Sequence, residues 1–401
     1  MKKKEPPKKA SLSRREFLKT AVVMGGGAIA LGKLAPLRAQ EPPGPPGKAT
    51  LFETVKVGKL ELRNRLVRSA TAERAADADG NVTDQMVAIY RNLAAGGVGV
   101  IISGHAFVRP DGRLGDTMMG IYRDEQVKGI ARLAETAHEH GAKLVVQINH
   151  AGLKAQPGVP VPLGPSVPQR WRGEGKPREM NTDDIAAVVK AFGEAARRVR
   201  EGGADGVQVH AAHGFLVNQF LSPASNRHAD DWGGSDEKRG AFLKAVYDSV
   251  RNAVGPDFPV WAKINGMESI KGGRTVEECL AAAERLAAAG VDLIEISGLG
   301  GKKPEDEKAE GPPYYLAAAE AFRPKIKTPL SLVGGIRSLE TMERLVGETG
   351  VDLVSVARPL IRDPALPKKL AKGTVKVSSC KSCSECLKHG DEPIRCWQPA
   401  D

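Results

Sequence analysis

Four of the five cysteines fall in the last 22 residues, spaced Cys380-x2-Cys383-x2-Cys386-x9-Cys396. Thiolates clustered this densely call for a shared ligand. Three at short regular spacing plus a distant fourth can wrap a [4Fe-4S] cluster, four can hold structural zinc, and in an oxidising compartment they can pair as disulfides. The fifth, Cys279, stands alone in a helical stretch and reads as a buried apolar residue. A second constellation is His210-Ala-Ala-His213. Two imidazoles three residues apart at a strand end can grip one carbonyl or nitro oxygen and polarise a conjugated alkene toward hydride attack. A metal reading needs a third ligand, for which His105 or His150 would serve. Lys263 closes a short apolar run, where a bare ammonium is costly unless it meets a negative charge.

Elements that would place these side chains recur along the chain. Five times a helical stretch ends at glycine and passes at once into a β-branched run: Ala94–Ile102, His140–Val146, Gly202–His210, Ala289–Ser297 and Thr349–Val356. Glycine accepts the left-handed cap conformation without steric cost. The runs lack polar alternation, so they are strands covered on both faces, as in a parallel sheet. Arg65–Ser69, Pro259–Ile264 and Pro329–Val333 bring the count to eight, alternating with helices. That pattern predicts a single closed (β/α)8 barrel of the TIM type in the α/β class. A doubly wound open sheet would place a G-x-G-x-x-G loop after the first strand, and none is there. Thr83-Asp84, Thr182-Asp183-Asp184 and Thr275 with Glu278 are the expected helix starts.

In such a barrel the carboxyl ends of the strands build the site. Those ends carry Ser69-Ala70-Thr71, Gly104, Gln147, His210 with His213, Lys263, Gly334-Gly335 and Ala357-Arg358. Glycine amides after the seventh strand and an arginine after the eighth fit a phosphate pocket. A negative charge for Lys263 would come from N1 of a reduced flavin, with Gln147 on its pyrimidine ring. The loop 152–181, rich in Pro, Gly and Arg and carrying Trp171, is placed to cover the site.

The run Gly203–Arg227, continuing to Asp231-Trp232-Gly233-Gly234-Ser235, resembles the long signature of the old yellow enzyme family (NADH:flavin oxidoreductases). Asn64-Arg65, Gln147–Gly152, Val333–Ile336 and Ala357–Pro364 follow in the family's order, so the resemblance spans about residues 50–372. It implies non-covalent FMN contacted by Ser69, Ala70, Gly104, Gln147, Lys263, Gly335, Ala357 and Arg358. It also implies a small-molecule substrate whose oxygen meets His210 and His213 while its β-carbon receives hydride. Two positions depart: Phe215 stands where the family usually has a proton-donating tyrosine, and Ala72 where many members carry cysteine or threonine. The cysteine row is similar to that of the trimethylamine dehydrogenase and dienoyl-CoA reductase group, which implies a [4Fe-4S] cluster. The expected activity is reduction of an activated double bond. The alternatives are an oxidative amine dehydrogenase or demethylase, and a non-catalytic FMN electron-transfer protein.

The chain opens with lysines, then Ser13-Arg14-Arg15-Glu16-Phe17-Leu18-Lys19, then a glycine-interrupted apolar stretch ending near Arg38-Ala39. This layout resembles a twin-arginine signal, whose export machinery carries folded, cofactor-loaded proteins to the periplasm. Retention of the leader as an anchor is the alternative. The expected divisions are 1–39 leader, 40–48 Pro/Gly linker, 49–372 FMN-binding barrel and 373–401 cysteine tail. Net charge is +11, and removing 1–39 takes away ten Lys/Arg and two Asp/Glu, leaving 49 basic against 46 acidic residues, or +3. The basicity belongs to the leader, so no nucleic-acid partner is expected. Outside the cytoplasm NAD(P)H is not expected either, which implies a redox-protein donor. The sequence is equally compatible with a monomer and a homo-oligomer.

Overall fold

The computed structural model describes residues 50–156, 158–300, 311–390 and 392–399; the leader and linker expected from the sequence lie outside the described residues. Eight parallel strands form the centre: β1 (Leu66–Arg68), β2 (Val100–Ile102), β3 (Lys143–Asn149), β4 (Gly206–Ala211), β5 (Val260–Ser269), β6 (Leu293–Gly300), β7 (Leu330–Val333) and β8 (Leu353–Val356). Their order is β2-β1-β8-β7-β6-β5-β4-β3, and β3 pairs back onto β2, so the sheet closes. This is the (β/α)8 barrel expected from the repeating pattern.

Local chemistry explains the alternation. The glycines that end the five repeated units, Gly97, Gly141, Gly203, Gly290 and Gly350, all have φ between 72° and 101°. Only glycine adopts that region freely, so each helix stops there and the chain turns into its strand. Between strands run α1 (Asp84–Ala95), α2 (Val127–Glu139), α3 (Thr182–Glu201), α4 (Asp236–Val254), α5 (Val276–Ala288), α6 (Leu316–Phe322) and α7 (Leu339–Glu348). In α2, Ile130, Leu133, Ala134 and Ala137 are buried at helical spacing and form the stripe that lies on the barrel. Thr83 and Thr275 cap their helices as expected. The start of α3 differs: Asn181, not Thr182, is the cap, accepting from Asp184 N while the Asp184 carboxylate accepts from Asn181 N. Asparagine is the better cap because its amide oxygen reaches the third helical N–H.

The barrel interior is layered. Near its amino end an antiparallel hairpin, Val55–Val57 with Leu60–Leu62, packs with Val67, Val100, Val145, Trp261, Leu293 and Leu353 in one buried apolar cluster. Two residues further along their strands, on the same face, come Ser69, Gln147, Lys263 and Glu295. A dry plug therefore underlies a polar layer that opens toward the carboxyl ends.

Candidate active site

The polar layer is a single hydrogen-bonded row. Lys263 Nζ donates to Ser69 Oγ at 2.8 Å and lies 3.3 Å from Glu295 Oε2. Ser69 Oγ donates to Glu295 Oε1 at 2.7 Å. Gln208 Nε2 donates to Glu295 Oε2 at 3.0 Å, and Gln147 Nε2 donates to Gln208 Oε1 at 2.7 Å. All five side chains are buried. The row follows from sheet register, in which Gln147 stands beside Gln208, and Lys263 beside Glu295 on one side and His210 on the other. A carboxylate can only accept, so Gln208 must turn its amide nitrogen toward Glu295 and its carbonyl toward Gln147. Gln147 is thus obliged to spend its nitrogen, and its Oε1 is left buried with no hydrogen-bond partner.

Glu295 and Gln208 were not among the residues expected from the sequence. Lys263 had been expected to find its negative charge on a bound ring, but a protein carboxylate is already beside it. The discoverable signal was polar residues recurring at every second position in otherwise apolar strands: Gln147/Asn149, Gln208/His210, Lys263/Asn265 and Glu295/Ser297.

Above this row sit three imidazoles. His210 and His213 have ring centroids 5.0 Å apart, and His105 lies 6.1 Å from His210 and 5.2 Å from Phe215. The N–H of Ala212 donates to His210 Nδ1 at 3.3 Å, which leaves the His210 proton on Nε2 as a donor. His213 Nε2 is 2.7 Å from Ser297 Oγ, and His213 itself has φ 60°, a left-handed conformation. Burial is the main reason all three stay neutral: it pushes His105 down to about 4 and His210 and His213 well below the usual imidazole range, with nearby positive groups adding to the effect. Lys154 Nζ donates to the His213 carbonyl at 2.7 Å and stands 5.3 Å from the centre of the Phe215 ring, and burial lowers its pKa.

The remaining expected residues are placed as follows. Gly104 gives its N–H to Glu73 Oε1 at 2.9 Å, and a Cβ there would lie 2.0 Å from Glu73 Oε2, so glycine is required for close packing on that carboxylate. Ala70 and Thr71 follow Ser69 at the end of β1, with Thr71 Oγ1 donating to the Ser69 carbonyl at 3.0 Å. Gly334 and Gly335 have φ of 122° and 73°, and Cβ atoms there would crowd the rings of Tyr314 and Tyr315. Arg358, next to Ala357 after β8, bonds the cysteine tail. Its Nη1 donates to the Ser382 carbonyl at 2.8 Å and to Ser384 Oγ at 3.1 Å, and its Nη2 to the Tyr314 hydroxyl at 3.3 Å.

Cys380, Cys383, Cys386 and Cys396 line one small cavity together with Arg358 and Arg362, and none is in a disulfide. Among the described residues no three His, Cys, Asp or Glu side chains are disposed to hold a single metal ion. Cys279 is fully buried in α5, as expected for an apolar role.

The layer suits FMN on two independent counts: an orphaned buried acceptor in the same hydrogen-bonded row as a lysine, and a pair of open-φ glycines with an arginine at the next strand end. Comparison with known proteins agrees. Residues 50–376 match the family model described as NADH:flavin oxidoreductase / NADH oxidase family. An NADPH dehydrogenase of Geobacillus sp. is 35% identical over 80% of this chain and 94% of its own length. An NADH oxidase of Thermoanaerobacter brockii is 36% identical over 83% of this chain, which spans only 52% of that longer protein. Among solved structures, a 2-naphthoyl-CoA reductase in complex with 2-naphthoyl-CoA superposes with TM-score 0.79 at 29% identity, covering 87% of this chain and 56% of that one. Morphinone reductase gives TM-score 0.71 at 25% identity, covering 82% and 91%. The chain therefore belongs to the NADH:flavin oxidoreductase family, that of the old yellow enzymes, and is an oxidoreductase of that family.

Proposed function

We propose that this chain holds FMN across the carboxyl ends of β1–β8 and reduces an activated, carbonyl-conjugated double bond. The observation that carries the reading is the unpaired Gln147 carbonyl, aligned with Lys263 under three neutral imidazoles. Bound FMN supplies a hydride donor. The protein does the rest. Gln147 Oε1 would accept from the flavin ring, Lys263 would offer positive charge to the anionic reduced form, and Gly335 with Arg358 would hold the phosphate. His210 Nε2–H and the neutral His213 hold the substrate oxygen, drawing electron density from the alkene. Phe215 has no proton to give, so Lys154, whose ammonium lies over that ring, is assigned the proton for the second carbon. Photoreduction of FMN-loaded protein followed by mixing with an enone panel tests this. Rapid reoxidation that slows at least tenfold in Lys154→Met, with flavin content unchanged, is expected; reoxidation that no enone accelerates would overturn the reading, and reduction by amines would favour the oxidative alternative.

The leader and the tail support a further part of the reading. Twin arginines imply export of a folded protein, and four cysteines around one cavity suit a [4Fe-4S] cluster that passes electrons from a redox partner to the flavin. Iron and sulfide analysis of protein purified without oxygen should give about four irons per chain; fewer than about two would remove the relay.

A further inference from the structure

His213 is held by its backbone as well as by its ring. It and Gly214 have φ of 60° and 72°, and a histidine keeps that left-handed conformation only where its surroundings fix it. The His213 N–H donates to Asn265 Oδ1 at 3.1 Å, and the Gly214 N–H to Asn218 Oδ1 at 2.6 Å. Both asparagines are buried, and both turn their amide nitrogens to one carboxylate. Asn218 Nδ2 donates to Glu268 Oε1 at 2.6 Å, and Asn265 Nδ2 to the same oxygen at 3.2 Å. Ser222 Oγ and the Arg274 N–H donate to Glu268 Oε2 at 2.6 and 3.2 Å, so donors meet both oxygens of this buried group.

Glu268 reaches its place through a break in the strand. Lys263 and Asn265 share one face of β5, and strict alternation would bring Met267 to that face next. The register with β6 shifts between Asn265 and Glu268, and Met267 is left exposed while Glu268 is buried. A bulge of this kind re-aims a side chain beside a site. A carboxylate only accepts, so each asparagine must give it the nitrogen and keep its carbonyl for the loop. We infer that Glu268 is a positioning residue for the substrate grip. Acting through Asn265 and Asn218, it fixes the left-handed turn at His213 and Gly214. With that turn it fixes the imidazole assigned to the substrate oxygen and the His213 carbonyl that anchors Lys154.

The substrate grip rests on the ene-reductase reading, whereas the clamp is tested without substrate by residue-resolved amide hydrogen exchange. In Glu268→Met the His213 and Gly214 amides should exchange at least about tenfold faster than in the parent, while those of β7 and β8 keep their rates. Ser222→Ala, which takes a donor from the far oxygen of the same carboxylate, should leave both amides within about twofold of the parent. With 2-cyclohexen-1-one as substrate, Glu268→Met should raise KM at least about fivefold at unchanged flavin content. Should Glu268→Met fail to fold, Glu268→Asp, whose carboxylate is drawn back from the asparagines by one methylene, should speed the two amides at least about threefold. Unchanged exchange in the folded variant, acceleration spread evenly over β7 and β8, or faster exchange with an unchanged KM would overturn the assignment. A parent that reduces no enone would count against the ene-reductase reading alone, since the exchange rates still decide whether Glu268 holds the turn.

Discussion

Glu295 holds Lys263 on one side and sets the direction of two amides on the other, so its charge is felt at both ends of the polar row. In Glu295→Gln, Lys263 faces the ring uncompensated and favours the anionic reduced flavin. The FMN reduction potential should rise by about 30 mV, which is a tenfold shift in the ratio of reduced to oxidised binding for a two-electron couple. Spectroelectrochemistry reads this directly, and an unchanged potential would remove Glu295 from the flavin's environment. The histidines carry a second residue-scale consequence. His105 has its folded pKa lowered to about 4 from an unfolded value near 6.5, so below pH 6.5 the unfolded chain binds a proton that the folded chain refuses. Stability is lost as pH falls through that window, by about 2 kcal/mol at pH 5 relative to pH 7.5 for this side chain. His105→Gln should narrow the gap between urea midpoints at the two pH values; the same gap in the variant would contradict it.

Secondary structure was the most legible level. Glycines at helix ends and β-branched runs behind them are local signals, enforced by φ and by burial on both faces, and all eight strands lie where those signals put them. The residues at strand ends were equally readable, because a barrel brings carboxyl ends together whatever lies between. What escaped was pairing across strands. Glu295 and Gln208 look like blemishes in apolar runs until the register sets them beside Lys263 and Gln147. Glu268 escaped because strict alternation along β5 points to Met267, and only the bulge after Asn265 buries the carboxylate instead. The start of α3 shows the finer limit, since neighbouring Asn181 and Thr182 are both competent caps and only geometry separates them. Asn181→Ala should cost about 1 kcal/mol in chemical denaturation and Thr182→Ala less than about 0.5. Equal costs would place the cap one residue later.

Barrel and tail meet mainly through polar bonds, from Arg74, Arg358 and Arg362 to the tail and from the Ile394 N–H back to Glu73. The main apolar core runs through the strands and helices, and no cysteine of the tail belongs to it. On the proposed cluster, the double change Cys380→Ser with Cys386→Ser should leave flavin content and melting temperature near those of the parent while iron falls below about two per chain by metal analysis. Concerted loss of flavin would show instead that the two parts fold as one.

The Ile394 N–H donates to the Glu73 carbonyl at 2.8 Å, one residue before Arg74, while Arg358 clasps the Ser382 carbonyl from the far side. A short cysteine-bearing strap is thereby moored at both shores of the mouth. Gly390, between these two moorings, lines the cavity beside His105, so the hold of the strap helps to set the width of that doorway and thus which molecules enter.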